Sequence, residues 1–111
     1  MREPTYFILA ALLDGPLHGY AVIQQVAGLS GGRVRLAAGT LYAALDRLAA
    51  EGLLRVDREE VVNGRARRYY ALTDQGATAV RAEAERMTEA ARLVMNRTRV
   101  RDTRLRTVKP A

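Results

Sequence analysis

Three guanidinium side chains, Arg65, Arg67 and Arg68, follow directly on the dipeptide Asn63-Gly64. A planar guanidinium donates two parallel hydrogen bonds to a phosphate or carboxylate, so three of them at one turn suit the holding of a polyanion. Elsewhere the chemistry is sparse. Asp57, Glu59 and Glu60 lie close enough to suggest an acid/base pair, yet no nucleophile signature or phosphate-cradling loop accompanies them, and they read as surface charge. His18 is the only histidine and cysteine is absent, so neither a catalytic triad nor a multi-histidine or thiolate metal site can be assembled. His18 is expected to cap a helix instead. No cofactor or metal is implied, and the function expected is not enzymatic.

A net charge of +6 invites the inference of a nucleic-acid partner, but its distribution weakens that inference. Arg97, Arg99, Arg101, Arg104, Arg106 and Lys109 stand against Asp102 alone, so nearly all of the excess belongs to the C-terminal stretch. The case for a polyanion must rest on where charge is placed. At 111 residues there is room for one compact domain and one further element. Aromatics form only 5% of the chain, so the core must come from Leu, Val, Ile and Ala on helices. The start lacks a signal-peptide apolar run and no apolar stretch approaches the roughly 18 residues that span a bilayer. A soluble, cytoplasmic, bacterial protein with no membrane association is expected.

The elements that must position the arginines follow from periodicity. A first helix is predicted from Pro4 to about Leu13, on Phe7, Ile8, Ala11, Leu12 and Leu13, and Asp14-Gly15-Pro16 stops it. A second runs from His18 or Gly19 to Ala27, with Tyr20, Ile23 and Ala27 as its apolar stripe and Val22 and Val26 beside them. Gly28 to Gly32 is a loop, and Val34-Arg35-Leu36 a short strand. The third helix spans Ala38 to about Glu51, with Leu41, Ala44, Leu45 and Leu48 inward and Thr40, Tyr42, Ala43, Asp46, Arg47 and Ala50 outward. Leu53 to Val62 and Arg65 to Thr73 flank Asn63-Gly64, the strongest short hairpin signal, because both turn positions require positive φ. Thr73 is an N-cap opening a long helix that reaches at least Asn96. On it Ala77, Val80, Ala84, Met87, Ala91 and Val94 follow the three-and-four spacing of a two-helix seam.

Three short helices, a β-hairpin and one long amphipathic helix make a mainly α fold: a winged helix-turn-helix over residues 1–73, a dimerisation helix over 74–96 and a basic, flexible tail over 97–111. The outward side of the third helix suits the major groove, and the arginines after the turn suit phosphates or the neighbouring minor groove. The seam has one competitor, packing back on its own domain.

The segments Gly15-Pro16-Leu17-His18-Gly19-Tyr20, Gly39-Thr40-Leu41-Tyr42-Ala43-Ala44-Leu45 with Leu48 and Glu51-Gly52-Leu53, and Gly64-Arg65-Ala66-Arg67-Arg68-Tyr69-Tyr70-Ala71-Leu72-Thr73 with Gly76 closely resemble the PadR family of transcriptional regulators. The resemblance covers roughly Tyr6 to Val94. It implies a homodimeric repressor that binds double-stranded DNA at a pseudo-palindromic operator, as in the compact subfamily, several members of which are relieved by small aromatic effectors. It also implies that Thr40 and Tyr42 meet DNA and that Arg65, Arg67 and Arg68 make the wing contacts. Gly39, Ala43 and Arg47 complete the candidate interface, and Gly19 and Gly39 are expected to serve backbone geometry.

Two departures from the family pattern stand out. Ala37-Ala38 occupies the place of the usual Ser or Thr cap on the third helix. No tryptophan is present, and Met87 takes the place of the ligand-stacking residue of drug-responsive members, which argues against a planar-drug sensor and leaves Met87 as the candidate contact for any small aromatic effector. The alternative to a DNA-binding regulator is a winged-helix dimerisation or adaptor module that binds a protein partner.

Overall fold

The computed structural model describes residues 1–107. The elements in chain order are α1 (Glu3–Ala11), β1 (Leu17–His18), α2 (Gly19–Leu29), α3 (Ala38–Ala50), β2 (Leu54–Val62), β3 (Arg65–Leu72) and α4 (Asp74–Thr107). Backbone contacts divide the chain into one unit over Met1–Arg81 and a second over Ala82–Ala111.

The first unit is built on leucine periodicity. Leu41, Leu45 and Leu48 of α3 are fully buried and pack with Ile8, Leu9, Val22, Val26, Leu54 and Tyr70. Leu45→Ala is expected to lower stability by about 3 kcal/mol, since the surrounding helices cannot collapse fully onto the void. Chemical denaturation would measure it, with the denaturant slope unchanged. On α2 the inward residues are Val22 and Val26, whereas Tyr20, expected in the stripe, is 65% exposed. Leu13 likewise lies outside α1 and is exposed.

Helix ends follow local chemistry. After α3, Gly52 takes φ +79°, and the amides of Gly52 and Leu53 bond back to the carbonyls of Ala49 and Leu48. That crossed pair is the closure a glycine at positive φ permits. Thr73 caps α4 as expected: its Oγ1 accepts from Gly76 N–H at 3.0 Å and donates to the Gly52 carbonyl at 2.6 Å. The cap therefore also ties α4 to the end of α3.

The sheet has three antiparallel strands in the order β1-β3-β2, one more than the hairpin expected. The third is the two-residue β1, with Leu17 opposite Tyr70 and His18 opposite Tyr69. The short strand expected at Val34–Leu36 does not form. Val34 donates its amide to Ser30 Oγ at 2.9 Å, and Val34 and Leu36 pack against the core as irregular chain.

The long helix departs from the expected seam at its N-terminal end. Val80 is 3% exposed and belongs to the core of the first unit, so it is spent within its own chain, and Ala77 is half-buried. From Glu85 to Arg106 every side chain is exposed, Met87, Ala91 and Val94 among them, and Ala84 is half-buried. The flexible tail expected from Arg97 is helical as far as Thr107. Arginine, which recurs in that stretch, and leucine, present there as Leu105, are good helix formers. Thr98 and Thr103 satisfy their hydroxyls on the carbonyls four residues back, at 2.8 and 3.0 Å, and Arg104 and Arg106 complement the negative end of the helix dipole. The rest of that stretch, 108–111, lies outside the described residues. Among the described residues no helix is long and apolar enough to cross a membrane.

Candidate nucleic-acid interface

The hairpin tip forms as its dipeptide demands, with Asn63 at φ +52° and Gly64 at φ +75°. Register across it sets Val62 opposite Arg65, Glu60 opposite Arg67 and Glu59 opposite Arg68. Alternation along β3 then separates the three arginines: Arg65 and Arg67 share a face with Tyr69, and Arg68 shares the other with the buried Tyr70. Arg68 Nε lies 3.1 Å from Glu59 Oε1. Its guanidinium is held further in the charged form by a hydrogen bond to the Tyr70 hydroxyl, and then by Glu59 and Asp46. Among the described residues, neither Arg65 nor Arg67 forms an ion pair. The three acids read as surface charge are all engaged with arginines. Asp57 pairs with Arg55 at 2.9 Å and Arg58 at 3.3 Å, and Glu60 with Arg58 at 2.9 Å. Arg58 also stacks on the Tyr69 ring at 3.9 Å, beside a bulge between Val56 and Arg58.

On the helical side, His18 caps α2 as expected, its Nδ1 accepting from the Ala21 amide at 3.3 Å. The ring meets Tyr69 edge-on at 5.5 Å. Burial, and then the Arg67 guanidinium, hold the imidazole below its ordinary pKa. The cap requires an unprotonated Nδ1, so its contribution is present above the free-imidazole value of about 6.5 and is lost as pH falls through the lower native value. The denaturation midpoint should therefore drop between pH 7.5 and 5. In His18→Asn, which keeps a cap acceptor without titrating, that part of the drop should vanish, and an equal drop in both proteins would refute the assignment.

The outward side of α3 is as the periodicity dictates: Gly39, Thr40, Tyr42, Ala43, Asp46 and Arg47 are all exposed. Tyr42 leans on the start of α2, where a Cβ built on Gly19 would stand 2.5 Å from its hydroxyl. Gly19 thus serves close approach, not an unusual φ. Around Gly39 there is open space and the φ is ordinary, so no geometric need for glycine exists there. Arg47 is drawn sideways, donating to Thr5 Oγ1 at 3.1 Å and lying 3.5 Å from Glu51 Oε1. Ala37 at the N-cap offers no side-chain acceptor, so the first amides of α3 carry no side-chain cap.

One groove of about 960 Å³ joins the two sides. It brings together Tyr42, Arg65, Arg67 and Arg68 from the predicted set, while Gly39, Thr40, Ala43 and Arg47 lie on α3 outside its lining. Sequence reasoning missed His18, Tyr20 and Glu59 as groove residues. Only the Gly-Tyr pair at the start of α2 hinted at Tyr20, and nothing local announces the short strand that carries His18 there. Among the described residues no cluster of three or more His, Cys, Asp or Glu side chains is placed to hold a metal.

The chain is similar over 88 residues to the Mycobacterium tuberculosis protein named Transcriptional regulator Rv3488, at 41% identity, covering 79% of this chain and 78% of that protein. Among solved structures, Bacillus subtilis PadR in complex with operator DNA superposes with a TM-score of 0.67 at 25% identity, over 75% of this chain and 47% of that one. A PadR family transcriptional regulator from Eggerthella lenta superposes with a TM-score of 0.67 at 26% identity, over 83% of this chain and 78% of that one. The sequence profile of the Transcriptional regulator PadR-like family matches residues 8–82, within which the core, the third helix and the wing all fall. On this match and the mycobacterial relative, the chain belongs to the PadR-like family of transcriptional regulators.

Proposed function

We propose that the chain is a homodimeric repressor that binds a pseudo-palindromic duplex operator, with α3 in the major groove of each half-site and the β2–β3 hairpin against the flanking backbone. The observation that carries this reading is the groove in which the exposed side of α3 meets Arg65, Arg67 and Arg68. A major groove about 12 Å wide admits one helix, and a hairpin beside it reaches phosphate or the minor groove. The amides of α3 that lack a side-chain cap suit a phosphate oxygen, which favours helix N-termini. The likeness to Bacillus subtilis PadR, solved in complex with operator DNA, supports operator DNA as the partner.

Dimerisation is assigned to Ala84, Met87, Ala91 and Val94, the part of the seam not consumed by the core of the first unit. Met87 is 47% exposed in the single chain, so an aromatic effector held there needs a second copy to complete its site. The test is binding of a labelled duplex at two salt concentrations together with the mass of the free protein in solution. A dimer whose DNA affinity falls steeply with salt is expected. A monomer at micromolar concentration that ignores duplex at low salt, or a dimer that captures only protein, would overturn the proposal.

A further inference from the structure

The side chains of α3 that remain free decide what kind of base contact the helix can make. Direct reading of purines relies on long donors, Arg or Lys to guanine and Asn or Gln to adenine. The helix Ala38–Ala50 contains no Asn, Gln or Lys, and its one arginine, Arg47, is occupied with Thr5 and Glu51. Tyr42 packs across Gly19, and Asp46 lies in the field of Arg68 on the wing side of the groove. Gly39 and Thr40, with Ala43 about one helical turn further on, are all exposed and remain on the N-terminal part of the helix. This surface offers two methyl groups and one hydroxyl. Its small residues also let the backbone approach the base edges closely. The major-groove feature that a methyl surface recognises is the 5-methyl of thymine.

We propose that this chain selects its operator through thymine methyl groups met by Thr40 and Ala43, and not through bidentate hydrogen bonds to purines. The inference rests on the reading that α3 enters the major groove. It adds that discrimination is apolar, and that each half-site carries thymines at the positions facing Thr40 and Ala43. Arginine of the wing then supplies affinity without sequence.

The test begins with selection of duplexes from a random pool by the full chain, followed by replacement of each thymine in the selected half-site with deoxyuridine, which removes the methyl and preserves pairing. Binding is expected to weaken about four-fold at one or two thymines per half-site, the effect of one buried methyl group. Thr40→Ser deletes only a methyl and leaves the hydroxyl, so with it one of those thymines should become indifferent to the exchange. Ala43→Gly should do the same at the other, and a thermal melt would show that each variant is folded.

Tolerance of deoxyuridine within two-fold at every thymine overturns the proposal, as does a guanine preference that disappears with Arg47→Ala. Failure to enrich any duplex would instead overturn the DNA-binding function itself.

Discussion

Replacing Arg65 and Arg67 together with alanine is expected to weaken duplex binding about a hundred-fold at low salt and to flatten the salt dependence by nearly two units of slope. Each charge-assisted contact to phosphate is worth about 1.5 kcal/mol, and each phosphate neutralised contributes about 0.9 to the log–log slope. These two guanidiniums form no ion pair within the described chain, so both are available to DNA. Arg68 differs, because Glu59 and the Tyr70 hydroxyl already hold it. Arg68→Ala should accordingly cost less than either of the others, and Glu59→Gln should tighten binding a few-fold by removing a competing carboxylate. An equilibrium titration over a four-fold range of salt checks all of these. Equal slopes for the native and doubly substituted proteins would remove the wing from the interface.

Gly76→Ala is expected to destabilise the fold by about 3 kcal/mol or more, the range of severe overpacking. On helix propensity alone the exchange should stabilise by up to about 1 kcal/mol. The clash reverses the sign: a Cβ at Gly76 would stand 2.0 Å from the Leu53 carbonyl oxygen. That oxygen belongs to backbone and accepts the Thr73 amide at 3.2 Å, so it cannot retreat without breaking the junction of α3, β2 and α4. Gly28 is the internal comparison, since it is helical with nothing within 4 Å of a built Cβ. Gly28→Ala should raise stability by about 0.5 to 1 kcal/mol. Thermal or urea denaturation of the two variants should therefore move in opposite directions, and a neutral Gly76→Ala would contradict the packing described.

Much of the frame was legible residue by residue. Asn63-Gly64 announced the hairpin because only a turn with two positive φ values suits that dipeptide there. Thr73 announced the cap of α4, and Leu41, Leu45 and Leu48 declared which side of α3 is buried. These features depend on local sterics and on burial of a periodic stripe, both written in neighbouring residues. The predicted outward set on α3 is exposed throughout, and His18 caps α2.

What tertiary structure decided involves partners distant in the chain. Two residues are too few to show alternation, so β1 exists only because β3 offers an edge for Leu17 and His18. Arg67 and Arg68 are neighbours in sequence, yet strand pleat and the opposing Glu59 give them different freedom. Val80 fits a two-helix seam by spacing, but the core of Met1–Arg81 takes it first. Helix α4 continues through residues whose charge suggested a loose tail, because helix propensity and the dipole outweigh arginine repulsion in water. The sequence by itself thus determined the elements, the buried stripes and the hairpin turn, since each follows from interactions within a few residues. Only the fold decided which charges remain free, which apolar groups remain exposed and where the groove lies, because those depend on contacts that close long loops.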